Sequence, residues 1–499
     1  MATHSRERLG SVALMLMTFS AVFAFPSIVN NSIQIGLATI PGYLFGSIFY
    51  FLPFILMIAE IASANSENES GVHSWLESVL GPKWAFLGAW SYFFVNLFFF
   101  CSLLPNTLIY GSYAFLGQNV FQGNHSTKII AVISILLFWL MTWVCIKGVS
   151  WISKVTSLAG GARLFMGVAF VVLAFVVVFG FGNEPAQEFT TTSIMPTFNW
   201  TFFMTMAWIL QAVGGGESIG VYIKDVKGGN KTFVRTMIGA TIAVGIMYIL
   251  GAVAVGLVVP TDVLKGNFSN GIFDIFKILG TYFHIPAAMM VRLVGIILFV
   301  GSLGSLALWT AAPVKVFFSE IPDGVFGKWL VKTNEEGNPT NALLVQGIIV
   351  TILVAIPALG IGNMDSFLET LINMTASTSL VPVLFLLIAY IGLRWRKETM
   401  PRSFRFGNRT YGLIAGIFLL AIFIIVFFMS TVPDPKLIME EINGTLPKGT
   451  ASPLGMLAYN IIGLIVFMGF AWICWKRYET KEKNEVGKGE MDYEDLGKL

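Results

Sequence analysis

Charge is scarce in this chain. Only 12% of its 499 residues are Asp, Glu, Lys or Arg, about half the ~25% of a soluble domain. That scarcity excludes a soluble globular fold. With 56% hydrophobic residues, 44 Phe and 13 Trp, and a mean hydropathy of +0.76, it marks an all-α polytopic membrane protein. Cysteine is scarce too. Cys101, Cys145 and Cys474 are odd in number, lie in or near apolar runs and have no metal-ligand spacing, which excludes a disulfide framework. The four histidines, His4, His73, His125 and His284, are far apart and fall mostly in expected loops. The sequence holds no phosphate-binding loop, no HExxH and no Cys/His cluster, so a metalloenzyme or an ATP-driven pump lacks its motif. No cofactor, metal or nucleic-acid partner is expected.

Long hydrophobic runs are abundant. A span needs about 20 apolar residues, and that rule gives twelve, at roughly 11–33, 39–62, 84–116, 128–147, 157–182, 200–222, 233–259, 287–318, 342–358, 367–394, 412–431 and 453–475. The first has no small-residue cleavage site behind it and reads as a transmembrane helix rather than a signal peptide. Lys and Arg set the orientation. Loops on the side of the N-terminus carry most of them, whereas the opposite loops hold only Lys128, Lys265, Lys277, Lys436 and Lys448. Both termini are therefore expected in the cytoplasm, with residues 1–10 as the cytoplasmic N-terminus. The tail, KRYETKEKNEVGKGEMDYEDLGKL over 476–499, alternates in sign without apolar periodicity and reads as disordered.

One apolar stretch breaks its own pattern. WILQAVGGGESIG, Trp208 to Gly220, puts three glycines and a carboxylate inside an expected span. A glycine costs about 1 kcal/mol against alanine in a helix, and a charge at mid-bilayer costs about 2.5 to 3.5 kcal/mol on insertion scales. Such a cluster suits a helix that unwinds to line a polar cavity, where freed amides and carbonyls bind ligand. Small residues also serve close helix packing, and Glu217 directly after Gly214, Gly215 and Gly216 tips the reading toward a break. The first span carries a matching interruption in AVFAFPSIVNNSIQIG, Ala21 to Gly36. Pro26 removes a helix hydrogen bond, and Ser27, Asn30, Asn31 and Ser32 add polar groups. Pro26 alone would be a kink. Paired interruptions in two halves point to a transporter site.

These stretches resemble the amino acid–polyamine–organocation (APC) superfamily, from about Ser11 to Trp475. The resemblance rests on FLPFILMIAEIASANSENESGVHSWLESVLGPKWAF (Phe51 to Phe86), on the GGE of the sixth span, on PVKVFFSEIPDGVFGKWLVKTNEEGNPTNALLVQ (Pro313 to Gln346) and on RSFRFG (Arg402 to Gly407). Within the superfamily the chain is most similar to the glutamate/γ-aminobutyrate antiporter family and its bacterial relatives. It departs from the family pattern at Ser70-Gly71, where two glycines are usual, at Ser403, and at His73, where an aromatic is usual and which therefore reads as a loop residue.

The resemblance implies a LeuT-type 5+5 inverted repeat with broken helices 1 and 6. The repeats would cover 11–182 and 200–394, with two peripheral spans over 412–475. It implies alternating access in a bacterial plasma (inner) membrane, an amino acid or related amine as cargo, and a monomer or homodimer. Pro26, Ser27, Ile28 and Asn30 would line the substrate site, a substrate carboxylate meeting backbone amides near Ser27 to Asn30, and its ammonium would meet carbonyls from Gln211 to Gly214. Trp208 would stand near the aromatic gate, although Gln211 occupies the nearer register, and Glu217 would serve the substrate network or the gate. Arg163 aligns with a lysine that in many members replaces sodium beside hydroxyls, here those of Ser302 and Ser305. A guanidinium stays protonated, which favours antiport. Arg163 could instead snorkel to the interface. The alternative is proton symport, with Glu60 or Glu217 as carrier. A channel or a non-transporting sensor is a further alternative.

Overall fold

The computed structural model describes residues 10–65, 71–123, 125–147, 152–217, 226–322, 324–334, 339–446 and 451–496. Among them there is no named strand, and an isolated bridge pairs Thr333 with Pro339. The principal helices are α1 (Ser11–Val22), α2 (Phe25–Ile35), α3 (Leu52–Ala64), α4 (Pro82–Leu116), α5 (Ser126–Ile146), α6 (Ile152–Phe175), α7 (Trp200–Val213), α8 (Gly229–Val258), α9 (Gly271–Tyr282), α10 (Ala287–Glu320), α11 (Thr340–Gly360), α12 (Met364–Trp395), α13 (Arg409–Thr431) and α14 (Pro453–Leu496). Ten helices among the described residues are long and apolar enough to cross a membrane. The first and sixth expected spans are not separate members of that ten. The first is interrupted, its second part running into the continuous Phe25–Ala64 segment, and the sixth leaves only the short apolar helix Trp200–Val213.

Local chemistry explains the helix starts. Asn199, Asn363 and Asn408 each accept a backbone N–H with the side-chain oxygen, from Phe202, Ser366 and Tyr411, at the heads of α7, α12 and α13. These caps satisfy amide donors that a helix cannot pair by itself. Asp365 adds a negative charge to the first turn of α12, where the helix dipole favours it.

Two differences from the sequence reading stand out. The final helix is continuous from Pro453 to Leu496, across the boundary at 475 and through most of the stretch read as a disordered tail. His73 lies not in a loop but on a short helix, Val72–Leu80, and is buried.

Around the centre, α8 packs on α1, α2 and α3, α4 on α10, α5 on α11, and α12 on α7 and α13. A cluster of Phe86, Trp90, Phe93, Phe317, Phe326 and Phe470 ties α14 to α4 and α10. Large apolar side chains such as Ile352, Phe428 and Ile465 point outward, as a lipid-facing surface requires.

Candidate functional site

Both expected breaks are present. Helix α1 stops at Val22. Phe23 turns to an extended ψ of 118°, Ala24 follows at φ −131° and ψ 101°, and α2 begins at Phe25. The break therefore lies just before Pro26, which occupies the first turn of α2. The proline explains it: a continuous helix would pair the Val22 carbonyl with the N–H of residue 26, and proline has none. Helix α7 stops at Val213. Gly214 is extended, with ψ −175°, and Gly215 has φ +94°, a left-handed value that glycine adopts without the strain of a Cβ. Gly216 serves packing, since a methyl group there would meet the Ile55 side chain. Residues 218–225 lie outside the described residues.

A single hydroxyl joins the two breaks. Tyr248 of α8 is fully buried. Its Oη accepts the Ala24 N–H at 3.0 Å and offers its proton to the carbonyls of Val22 at 2.7 Å and Ala212 at 2.8 Å. Val22 lost its partner to Pro26, and Ala212 lost its partner to the unwinding after Val213. The Tyr248 ring stacks on Tyr43 at 4.6 Å between centroids and lies 5.3 Å from Phe23. Tyr43 in turn accepts a hydrogen bond from Asn31 at 2.7 Å. Sequence reasoning missed Tyr248, because one tyrosine in an apolar run carries no signal of its backbone partners.

The geometry narrows the expected contacts. The Ser27 N–H donates to the Ala24 carbonyl at 3.0 Å. Asn30 lies within the continuous part of α2, so its backbone amide belongs to the helix ladder and only its side chain could reach a ligand. Ile28 is fully buried, its side chain packed over Gly251 of α8. On the other break, the Gln211 carbonyl takes the Gly214 N–H at 3.1 Å and the Ala212 carbonyl takes Tyr248. Two of the carbonyls offered to an ammonium are thus already engaged. Glu217 is buried beside the break, with Tyr92 and Tyr50 nearby, and its Oε2 has no hydrogen-bond partner among the described residues.

Arg163 stands with the serines that the sequence assigned to it. Its guanidinium donates to Ser302 Oγ at 2.7 Å, Ser305 Oγ at 3.0 Å and the Leu298 carbonyl at 3.3 Å. This fastens α6 to α10 and excludes snorkelling in this conformation. Gly301 permits the approach, because a Cβ there would collide with the guanidinium. Trp208 is buried, donates from Nε1 to Asn373 Oδ1 at 3.0 Å and meets Phe268 edge-on at 5.9 Å.

Glu60, on α3, is engaged in ion pairs. Arg394 Nη2 lies 2.7 Å from Oε2, Arg402 Nε 3.2 Å from Oε1, and the Phe406 N–H 2.9 Å from Oε2. Tyr390 Oη adds a hydrogen bond at 3.2 Å. All three ion-pair members are fully buried at their side chains. Glu398 extends the cluster through Arg402 at 2.6 Å and Arg405 at 2.8 Å. Burial pushes the Glu398 carboxyl up, but Arg402, Arg394 and Arg405 outweigh it and hold it below the usual range. The RSFRFG element of the sequence thus supplies partners to Glu60.

The chain matches the Amino acid permease family over residues 9–467. It is 26% identical over 422 residues to the aspartate/glutamate permease AcaP of Lactococcus lactis subsp. cremoris, covering 84% of this chain and 86% of that one. It is 24% identical to the glutamate/gamma-aminobutyrate antiporter of Lactococcus lactis subsp. lactis, covering 95% and 90%, and 23% identical to the inner membrane transporter YjeM of Escherichia coli, covering 79% and 84%. With its bundle of apolar helices, the chain belongs to the amino acid permease family of the APC superfamily.

Proposed function

We propose that this permease is an amino acid antiporter of a bacterial plasma membrane, working by alternating access and not as a catalyst. The observation that carries the reading is the pair of helix breaks clasped by the Tyr248 hydroxyl. Two unwound backbones side by side present the positive end of α2 and carbonyls after Val213, which suit the carboxylate and ammonium of an amino acid. The proposed arrangement has twelve spans in two inverted repeats of five plus a terminal pair, with both termini cytoplasmic. The names of the relatives favour an acidic amino acid or the amine derived from one. Arg163 favours exchange over ion-driven symport, because a guanidinium keeps its proton at physiological pH.

The test uses purified protein in liposomes. Uptake of labelled glutamate is followed with and without unlabelled glutamate or γ-aminobutyrate inside. Uptake that requires internal amino acid and ignores proton and sodium gradients supports antiport. Uptake into empty vesicles driven by an inward proton gradient would sink it. One observation favours that second reading, proton symport: Glu217 is a buried carboxylate beside the break with one oxygen lacking a hydrogen-bond partner among the described residues.

A further inference from the structure

Helix α12 holds both broken helices on one face. Glu369 Oε1 accepts a hydrogen bond from Gln34 Nε2 of α2 at 2.9 Å. One turn on, Asn373 Oδ1 accepts the indole N–H of Trp208 of α7 at 3.0 Å, while its own Nδ2 donates to the Ser430 carbonyl of α13 at 2.9 Å. One turn before, Asp365 accepts the Ser269 N–H at 2.7 Å, and the neighbouring Phe268 packs on Trp208.

These contacts lie to the same side of the breaks. Gln34 is about 12 Å beyond Pro26 along α2, and Trp208 is about 9 Å before Gly214 along α7. The two helices run in opposite senses past α12, so both contacts fall toward its first turns. No cation pairs with Glu369 among the described residues. Its recorded side-chain partner is a neutral amide, a bond that can be broken without separating an ion pair. The ion cluster around Glu60 and Arg394 sits about 37 Å further along α12, so the two ends of this helix hold their neighbours by different means.

We propose that Glu369 and Asn373 form the closure over one mouth of the substrate site, Glu369 holding α2 and Asn373 holding α7. They act as positioning residues: neither needs to touch the cargo. When both bonds form, the two broken helices are drawn against α12 and the path along that face is shut. When they part, α2 and α7 separate from α12 and the site is reached from that side. This rests on the transport reading and adds to it the residues that govern entry.

The experiment measures glutamate exchange in proteoliposomes for the full chain and for Glu369→Ala, Glu369→Gln, Gln34→Ala and the double variant Gln34→Ala/Glu369→Ala. Elution as a single detergent-solubilised species confirms that each folds. Glu369→Ala and Gln34→Ala are each expected to lower the maximal rate at least fivefold while KM stays within threefold, because closure fails and recognition does not. The double variant should be no slower than the slower single, since one bond is lost either way. Glu369→Gln keeps an acceptor oxygen and should stay within twofold of wild type. The proposal is overturned by Glu369→Ala at the wild-type rate, by a double variant slowed by the product of the two singles, or by Glu369→Gln as slow as Glu369→Ala. Wild-type protein that exchanges no amino acid would overturn the function reading and the closure together, whereas normal wild-type exchange with unaffected variants overturns the closure alone.

Discussion

Replacing Tyr248 by phenylalanine isolates what one hydroxyl does at the two breaks. The ring and its contacts with Tyr43 and Phe23 stay. The oxygen that accepts from Ala24 and donates toward Val22 and Ala212 goes. A hydroxyl has one proton, so the three contacts amount to two full hydrogen bonds. Leaving a buried backbone group unsatisfied costs about 1–3 kcal/mol. Water can enter a polar break, so the low end applies to each, and the loss is roughly 2 kcal/mol. At 1.4 kcal/mol per decade, that is about 30-fold. Tyr248→Phe is therefore expected to slow glutamate exchange in proteoliposomes by about 10- to 30-fold. The thermal midpoint of the detergent-solubilised protein should fall only modestly, because the ring still packs. Tyr248→Leu should lower both. Wild-type exchange by Tyr248→Phe would refute the claim that this hydroxyl holds the breaks together.

Three further outcomes follow from the same geometry. Arg394→Met strips Glu60 of its closer guanidinium, and breaking a buried pair by removing one partner destabilises by about 3–5 kcal/mol. A melt should show that loss, with partial recovery in Glu60→Gln/Arg394→Met, and an unchanged melt for the single variant would show that the cluster is not structural. Gly301→Ala places a methyl group against the Arg163 guanidinium, so exchange should fall at least tenfold, more than for Gly160→Ala, where the added methyl group meets nothing; equal activity would refute the close approach. Burial pushes the His73 imidazole down, against the opposing pull of Glu77. A folded-state pKa below the unfolded ~6.5 means that the folded form prefers the neutral ring, so its contribution is present above ~6.5 and lost as pH falls through that value toward the lower folded pKa. Melting midpoints between pH 7.5 and 5.5 should fall less for His73→Phe than for wild type, and identical slopes would rule His73 out as a source of acid sensitivity.

The breaks were legible in the sequence because each violates its own surroundings. Three glycines before Glu217, and Pro26 before a run of polar residues, are costly in an apolar helix wherever it sits. Arg163 with Ser302 and Ser305 was legible only through resemblance, since nothing in the spacing of residues 163 and 302 joins them. Other features were silent. Tyr248 acts through backbone groups of residues 22, 24 and 212, and backbone partners leave no mark in a side-chain pattern. Glu60 read as a candidate proton carrier because its arginines arrive from residues 394 and 402, far along the chain. Arg402 lies in the RSFRFG element, where no local spacing points to residue 60. His73 was misplaced because a titratable residue in a hydrophilic stretch reads as exposed, whereas its helix turns it inward. The extent of α14 escaped because a run of alternating charges lacks apolar periodicity, yet its Lys, Glu and Met residues are good helix formers.

The guanidinium between α6 and α10 has a thermodynamic consequence. A positive charge bound covalently to the chain never dissociates into either compartment, so it carries no gradient energy across the membrane. It can favour a conformation but cannot set a direction. In a carrier built this way, one-for-one traffic of equally charged solutes stops when the concentration ratio of the solute entering equals that of the solute leaving. Where the two solutes differ in charge, each swap also moves charge, and the membrane potential adds about 2.3 kcal/mol per charge per 100 mV to that balance. Metabolism, by consuming one partner and producing the other, would then set how far the transporter runs.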